Sequence, residues 1–249
     1  MRTRVDHNCL RENKWGLANQ RFTLSNAVVD HNTSTKTVNF AYEVGWAVAP
    51  MESVTFDSNT SEDPSTPWRI LASTDITVID NVIRGANNAI VVSRQNVGVL
   101  LSGNHITGSA TSFHGIAVPG GIVPLPTPGT KGLQIVDNVV TGITSAAGGI
   151  GISIPVNSDV KDATIAGNVS SYNSQSGFLI TATGSQVEGN TAIGNGLYGI
   201  VGGPGSSGNR FVGNTMLDNV ALDARELGTN TWTDNYCRSS NVAGICSAP

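Results

Sequence analysis

Three aspartates near the start of this chain stand in one local frame. Asp6, Asp30 and Asp57 each lie two residues ahead of an asparagine (Asn8, Asn32, Asn59), and histidine fills the place between in the first two, as His7 and His31. Carboxylates brought into one column repel and raise one another's pKa unless a cation joins them. Calcium accepts several carboxylate oxygens, and histidine with carboxylate suits zinc or manganese. Asp6, Asp30, Asp57 and His31 are therefore the candidate metal set, with Ca2+ the candidate cation. The competing reading is a solvated outer face with the histidines packed at a turn. A second group comprises Tyr42, Glu43, Glu52, Glu62, Asp63, Trp68, Arg69 and Arg84. Gripping and cleaving a sugar calls for acid–base groups at the bond and an aromatic face for the ring. Alternation points Trp46 and Trp68 inward, so core packing competes with that role. His114, with Lys131 and Lys161, forms a third group beside a stretch rich in glycine and proline. The candidate catalytic residues are thus Arg69, Glu43 and His114, and the candidate substrate-binding residues are Trp68, Arg94 and Lys131.

What must position these residues is a repeat. An apolar residue, two variable residues and an asparagine recur ten times, ending at Asn8, Asn32, Asn59, Asn81, Asn104, Asn138, Asn168, Asn190, Asn214 and Asn235. Successive asparagines are 24, 27, 22, 23, 34, 30, 22, 24 and 21 residues apart. A period in the low twenties marks a solenoid whose repeats bury apolar faces against their neighbours. Within a repeat the apolar spacing is two, and isoleucine, valine and threonine alternate with turn residues, so the segments read as short strands. Two residues after each asparagine comes an inward position, filled by Leu10, Ile83, Ile106, Val140, Ala192, Met216 and Cys237, with serine at 34, 61 and 170. Three short strands per turn of roughly 22 residues describe an all-β, right-handed, single-stranded parallel β-helix of about ten coils. Coils stack about 4.8 Å apart, so the turn asparagines form a ladder whose amides bond to one another and to backbone groups. Asparagine also tolerates the left-handed backbone such a turn demands. The ladder residues, Asn32 through Asn214, are scaffold.

The coil pieces His114-Gly115-Ile116-Ala117-Val118, Tyr198-Gly199-Ile200-Val201 and Thr164-Ile165-Ala166-Gly167-Asn168 resemble those of the pectate-lyase-like superfamily of right-handed parallel β-helices, over nearly the whole chain. The resemblance implies an extracellular protein that cleaves (as a lyase or hydrolase) or binds a polysaccharide, although the fold alone does not transfer an activity. The alternative is a non-catalytic structural or surface module, or a fragment of a larger protein. In the related enzymes substrate lies along one sheet between long turns. Here that sheet is expected at residues 45–48, 67–70, 89–92, 114–118, 149–153, 178–181 and 199–202, with Ala47, Arg69, Val91, Ala117, Gly151, Leu179 and Val201 facing out. The two longest intervals insert loops beside it, the first at residues 119–131 and the second including 145–149, with 155–162 after the strand. One charge among seven outward residues matches neither the stacked acids and basic residue of the lyases nor the clustered aspartates of the hydrolases.

Composition narrows the partners. A net charge of −4 with no basic run argues against nucleic acid. No apolar stretch approaches about 18 residues, so no membrane span is expected. No signal peptide is visible, and the N-terminal cap usual for the fold is missing, which makes the first coil a candidate surface for self-association. The solenoid is expected to occupy residues 1–236, with a capping tail at 237–249. Cys237 and Cys246 bracket that tail; a disulfide there would cap the last coil, with buried thiols or half of a zinc site as alternatives. The tail resembles the endings of secreted bacterial β-helix proteins, which implies a secreted or cell-surface location. Cys9 reads as a small residue close to the interior.

Overall fold

A computed structural model describes residues 3–12, 15–18 (backbone only), 24–37, 39–45, 50–62, 65–93, 95–119, 129–155 and 158–247. They form a right-handed parallel β-helix with no helix among them, and so none long and apolar enough to cross a membrane. Three parallel sheets run its length, with ten, eleven and nine strands. Each coil gives one strand to the first sheet, passes the ladder turn, gives a three-residue strand to the second, and turns again into the third. One coil, for example, runs Gln186–Glu188, Thr191–Ile193 and Tyr198–Gly202.

The three-residue strands follow from the sequence frame. Asn190, fully buried, ends one strand, and Ala192 two residues later points into the core. In the second sheet the inward position is continuous in register from Leu10 through Ser34, Ser61, Ile83, Ile106, Val140, Ser170, Ala192 and Met216 to Cys237. The third sheet contributes Tyr42, Trp68, Ile90, Ile116, Ile152, Phe178, Ile200 and Ala224, none of them exposed. Each large apolar member removed from water contributes about 1.5–3 kcal/mol. Tyr42 and Trp68 stack near one end, with centroids 4.5 Å apart. Phe211 and Trp232 stack near the other, at 4.0 Å.

The ladder is continuous. Each Asn Nδ2 donates to the Oδ1 of the next coil's asparagine, at 2.9–3.0 Å from Asn8 to Asn235. The left-handed backbone does not fall on the asparagine, as the sequence reading placed it, but on the residue before. His7, His31, Ser58, Asp80, Gly103, Asp137, Gly167, Gly189, Gly213 and Asp234 all have φ near +50 to +65°. The asparagine itself is fully occupied by hydrogen bonds, and its predecessor takes the strain.

Two of these glycines allow a controlled comparison. A methyl group added to Gly167 would fall on Asp137 Oδ1 from the coil below, whereas one added to Gly189 meets nothing. Both substitutions to alanine incur about 1–2 kcal/mol of left-handed strain. Gly167→Ala is expected to cost more in urea unfolding than Gly189→Ala, and Asp137→Ala to erase the difference. Equal costs without the Asp137 change would show that the carboxylate simply swings aside.

Two further ladders brace the other turns, and both end on carboxylates. Asn173, Asn195 and Asn219 link in series, and Asp223 Oδ1 accepts from the last, at 2.9 Å. Asn209 donates to Asn230, whose amide reaches Glu226 Oε1 at 2.9 Å. A ladder that donates at every step needs an acceptor at its end, and a carboxylate provides only acceptors. The first ladder ends under the tail instead. Cys237 and Cys246 form a disulfide, and Cys246–Ser247 adds a strand beside Asn235–Cys237.

Candidate functional site

The aspartate column exists. Asp6 pairs in register with Asp30, and Asp30 with Asp57. Its charge is met by a side chain of the same sheet. Arg4 donates from Nε and Nη2 to the two oxygens of Asp30, at 3.1 and 2.6 Å, and lies 3.3 Å from Asp6. His31 Nδ1 lies 3.1 Å from Asp30 Oδ2, and the His7 and His31 rings stack 5.1 Å apart with planes 3° from parallel. Ring nitrogens in parallel planes do not converge on one ion, and Asp57 accepts from Ser58 Oγ. Among the described residues no group of three or more His, Cys, Asp or Glu side chains is arranged to hold a metal.

The Arg4 hydrogen bonds are the largest cause holding the Asp30 carboxyl below the ordinary aspartate range, against the opposing effect of burial. A depressed folded-state pKa contributes stability that is present above the unfolded value and lost as pH falls through the folded one. Arg4→Ala should therefore move the Asp30 titration, followed by carboxyl NMR, upward toward the ordinary range. An unmoved titration would mean that Arg4 does not set it. Arg4 is 58% exposed, so the shift should shrink with salt.

On the third sheet the register differs from the sequence reading at two coils. The strand of an early coil is Phe40–Val44 rather than 45–48, ended by Gly45 at φ +76°, where a methyl group would strike the Leu71 carbonyl. Ala47 and Trp46 lie outside the described residues, and the outward residue there is Glu43. Further on, Ala117 pairs with Ser153, not Gly151. Gly151 stands two residues earlier, where an added methyl group would strike Ser170 Oγ and Asn173 Nδ2 instead of facing out. The outward column in register is Glu43, Arg69, Val91, Ala117, Ser153, Leu179, Val201 and Arg225.

This face brings some of the expected residues together and separates others. Glu43 Oε1 lies 3.5 Å from Arg69 Nη1, but the Glu43 side chain is fully covered and Arg69 is 28% exposed. Arg69 also stands over the Phe40 ring, 4.9 Å from its centroid. Trp68 offers no face to a sugar, since it is wholly buried and stacked on Tyr42. His114 sits at the corner where the second sheet turns into the third, its Nδ1 3.0 Å from Asn88 Oδ1. Burial lowers its pKa, favouring the neutral ring. Two coils and three residues separate it from Arg69, about 14 Å, too far for both to act on one bond. Lys131 is exposed but pairs with Val97 at the entry to the first sheet. Arg94 and Asp63 lie outside the described residues. Cys9 is an exposed thiol rather than an inward one, as expected of the neighbour of inward Leu10.

The best-formed cation on this face is one that the sequence reading missed. Arg225 Nη1 donates to Tyr198 Oη at 2.8 Å, and its guanidinium stands 4.8 Å from the Tyr198 ring centroid. Tyr198 lies three residues before Val201, the in-register partner of Arg225, just as Phe40 lies three before Glu43, the partner of Arg69. The two arginine–aromatic pairs are thus the same construction six coils apart. They differ in charge. Arg69 is matched by Glu43, whereas no carboxylate lies within ion-pair range of Arg225 among the described residues. The missed signal was the alternation of Tyr198-Gly199-Ile200-Val201, which carries into Leu222-Asp223-Ala224-Arg225 without the glycine–isoleucine pair found at 115–116, 151–152 and 199–200.

Comparisons with known proteins agree with this architecture. Residues 127–245, just under half of the chain, match the family model described as periplasmic copper-binding protein (NosD). No curated protein matches the chain in sequence. Among solved structures it is similar to a double mutant of the periplasmic alginate epimerase AlgG, with a TM-score of 0.61 and 15% identity over 93% of this chain and 60% of that one. It is also similar to an alginate lyase from Paenibacillus sp. str. FPU-7, with a TM-score of 0.52 and 13% identity over 88% of this chain and 99% of that one. At such identities the likeness is one of fold, and the chain spans only 60% of the epimerase's length. The fold is the right-handed parallel β-helix that these proteins share.

Proposed function

We propose that this chain is an exported carbohydrate-active β-helix that holds an acidic polysaccharide along the outer face of its third sheet. The observation that carries this reading is Arg225, a cation unmatched by any described carboxylate and fixed by Tyr198 at the end of a floor of small and apolar side chains. Guanidinium is the group of choice for planar recognition of carboxylate or sulfate. On that floor Val91 and Leu179 are partly exposed, with Ala117, Ser153 and Val201 buried between their neighbours. The alginate-acting proteins of similar fold support a polysaccharide as the ligand, and the Cys237–Cys246 disulfide supports an oxidising, exported location.

In this reading the aspartate column is a structural ion pair with Arg4 rather than a Ca2+ site. Copper does not carry over from the matched family. Residues 127–245 contain no histidine, their cysteine is in the disulfide, and their methionine, Met216, is buried, so they lack the imidazole and sulfur donors copper prefers. A second reading, cleavage rather than binding alone, is favoured by His114, a neutral imidazole on the same corner column as Tyr198 and a suitable general base. Affinity electrophoresis against acidic and neutral polysaccharides tests the proposal. Salt-sensitive retardation by at least one acidic polymer is expected, and unchanged mobility in all would overturn it.

A further inference from the structure

Tyr172 is an aromatic residue at a position suited to glycine. Four residues after a ladder asparagine the backbone turns left-handed, and glycine stands there at 85, 142 and 194, with charged residues at Glu12, Lys36 and Asp218. Tyr172 adopts φ +54° at this position, a conformation that costs a bulky side chain about 1–2 kcal/mol. Burial does not offset that cost, since Tyr172 is 65% exposed. Its ring lies against the backbone of Gly194 in the next coil, where an added methyl group would come within 2.8 and 2.9 Å of Cε1 and Cδ1. Two exposed aliphatics follow in the next two coils on the same corner, Leu197 at 40% and Val220 at 77%. Leu197 directly precedes Tyr198, and Val220 lies two residues before Leu222, the in-register partner of Tyr198. These three exposed side chains therefore lie on the turn that leads from the second sheet into the face carrying Arg225.

We propose that Tyr172, with Leu197 and Val220 on the same turn of the next two coils, is a sugar-stacking shelf that carries the polysaccharide off the third sheet and around its corner. The proposal rests on the reading of the third-sheet face given above. A pyranose ring has an apolar C–H face and a polar rim, which matches an exposed phenol ring. Backbone strain without compensating burial belongs to positions whose side chain is wanted at the surface. Three side chains fall far short of the roughly 800 Å² per partner that a stable protein interface buries, yet one aromatic ring suffices for one sugar. The three side chains carry no charge, and Asp218, at the same turn position two coils on from Tyr172, is paired with Arg238 at 3.0 Å, so Arg225 supplies the selection for charge.

The test measures Kd for whichever polysaccharide retards the wild type, together with thermal midpoints, for Tyr172→Gly, Tyr172→Phe and Arg225→Ala. Tyr172→Gly should weaken binding about fivefold while its midpoint stays equal or rises, because glycine relieves the left-handed strain. Tyr172→Phe should bind within about twofold of wild type. Full affinity in Tyr172→Gly alongside loss in Arg225→Ala would overturn the shelf and leave the third-sheet reading intact. A midpoint lowered by several degrees with affinity unchanged would show a structural role and also overturn it. So would light scattering that shows a wild-type dimer dissociated by Tyr172→Gly. If the wild type binds no polysaccharide, both readings fall together.

Discussion

Asn138→Ala is expected to lower the unfolding free energy by about 3–6 kcal/mol, at about 1–3 kcal/mol for each buried polar group left without its partner. The Asn138 side chain is fully buried in the middle of the ladder. Its Nδ2 donates to the Leu101 and Val136 carbonyls and to Asn168 Oδ1, at 2.9, 3.0 and 2.9 Å. Its Oδ1 accepts from both the backbone N and the Nδ2 of Asn104, at 3.0 and 2.9 Å. Alanine deletes all five bonds at once and leaves a gap that neighbouring coils cannot close, because their spacing is set by the sheets. Urea unfolding followed by circular dichroism measures the loss. Asn8→Ala is the control. Asn8 is exposed at the end of the ladder, and its replacement should cost about 0.5 kcal/mol. Similar small costs at both positions would mean that the ladder decorates the solenoid rather than holding it.

Arg225→Ala should weaken binding of an acidic polysaccharide by about tenfold to 150-fold, the equivalent of a charge-assisted hydrogen bond of about 1.5–3 kcal/mol. The thermal midpoint should barely move, since Arg225 is partly exposed and lies outside the core. Tyr198→Phe isolates the orienting contribution. It deletes the 2.8 Å bond to Arg225 Nη1 but keeps the ring beneath the guanidinium, so a loss of only a few-fold is expected. Lysine at 225 should not rescue fully, because an ammonium lacks the planar fork and the stacking surface. Titration calorimetry at two salt concentrations reads both effects, and the difference between wild type and Arg225→Ala should narrow as salt rises.

Much of the scaffold was legible in the chain, because a ladder requires one residue type at one place in every coil. The asparagine frame located the first turn, and the position two residues later located the inward column of the second sheet down to its buried serines. The same frame placed Asp6, Asp30 and Asp57 together. It could not show that Arg4, two residues from Asp6, would reach across to Asp30 in the next coil, since that depends on a rotamer. The third sheet was harder. Its turns vary in length, so the earlier strand was placed too late, and alternation counts Gly151 and Ser153 alike because they are two residues apart. Trp68 obeyed the alternation that pointed it inward, which removes it from the sugar-binding candidates. Arg225 escaped because its coil replaces the glycine–isoleucine pair with Asp223 and Ala224, the former serving as a ladder terminus. Tyr172 was missed although glycine stands four residues after the ladder asparagine at 85, 142 and 194, because the frame alone does not say that this position has a left-handed backbone.

The central claim is that the outer face of the third sheet, and not another face of the solenoid, holds the polysaccharide. Leu179 lies outward in the middle of that face, and Ile193 lies on the outer side of the second sheet, both partly exposed. Affinity electrophoresis of Leu179→Glu and Ile193→Glu beside the wild type, in the acidic polymer that retards it most, separates the two faces directly. A carboxylate planted at 179 should abolish retardation while one planted at 193 leaves it unchanged. Retardation that survives Leu179→Glu, or that is lost equally in both variants, would contradict the account.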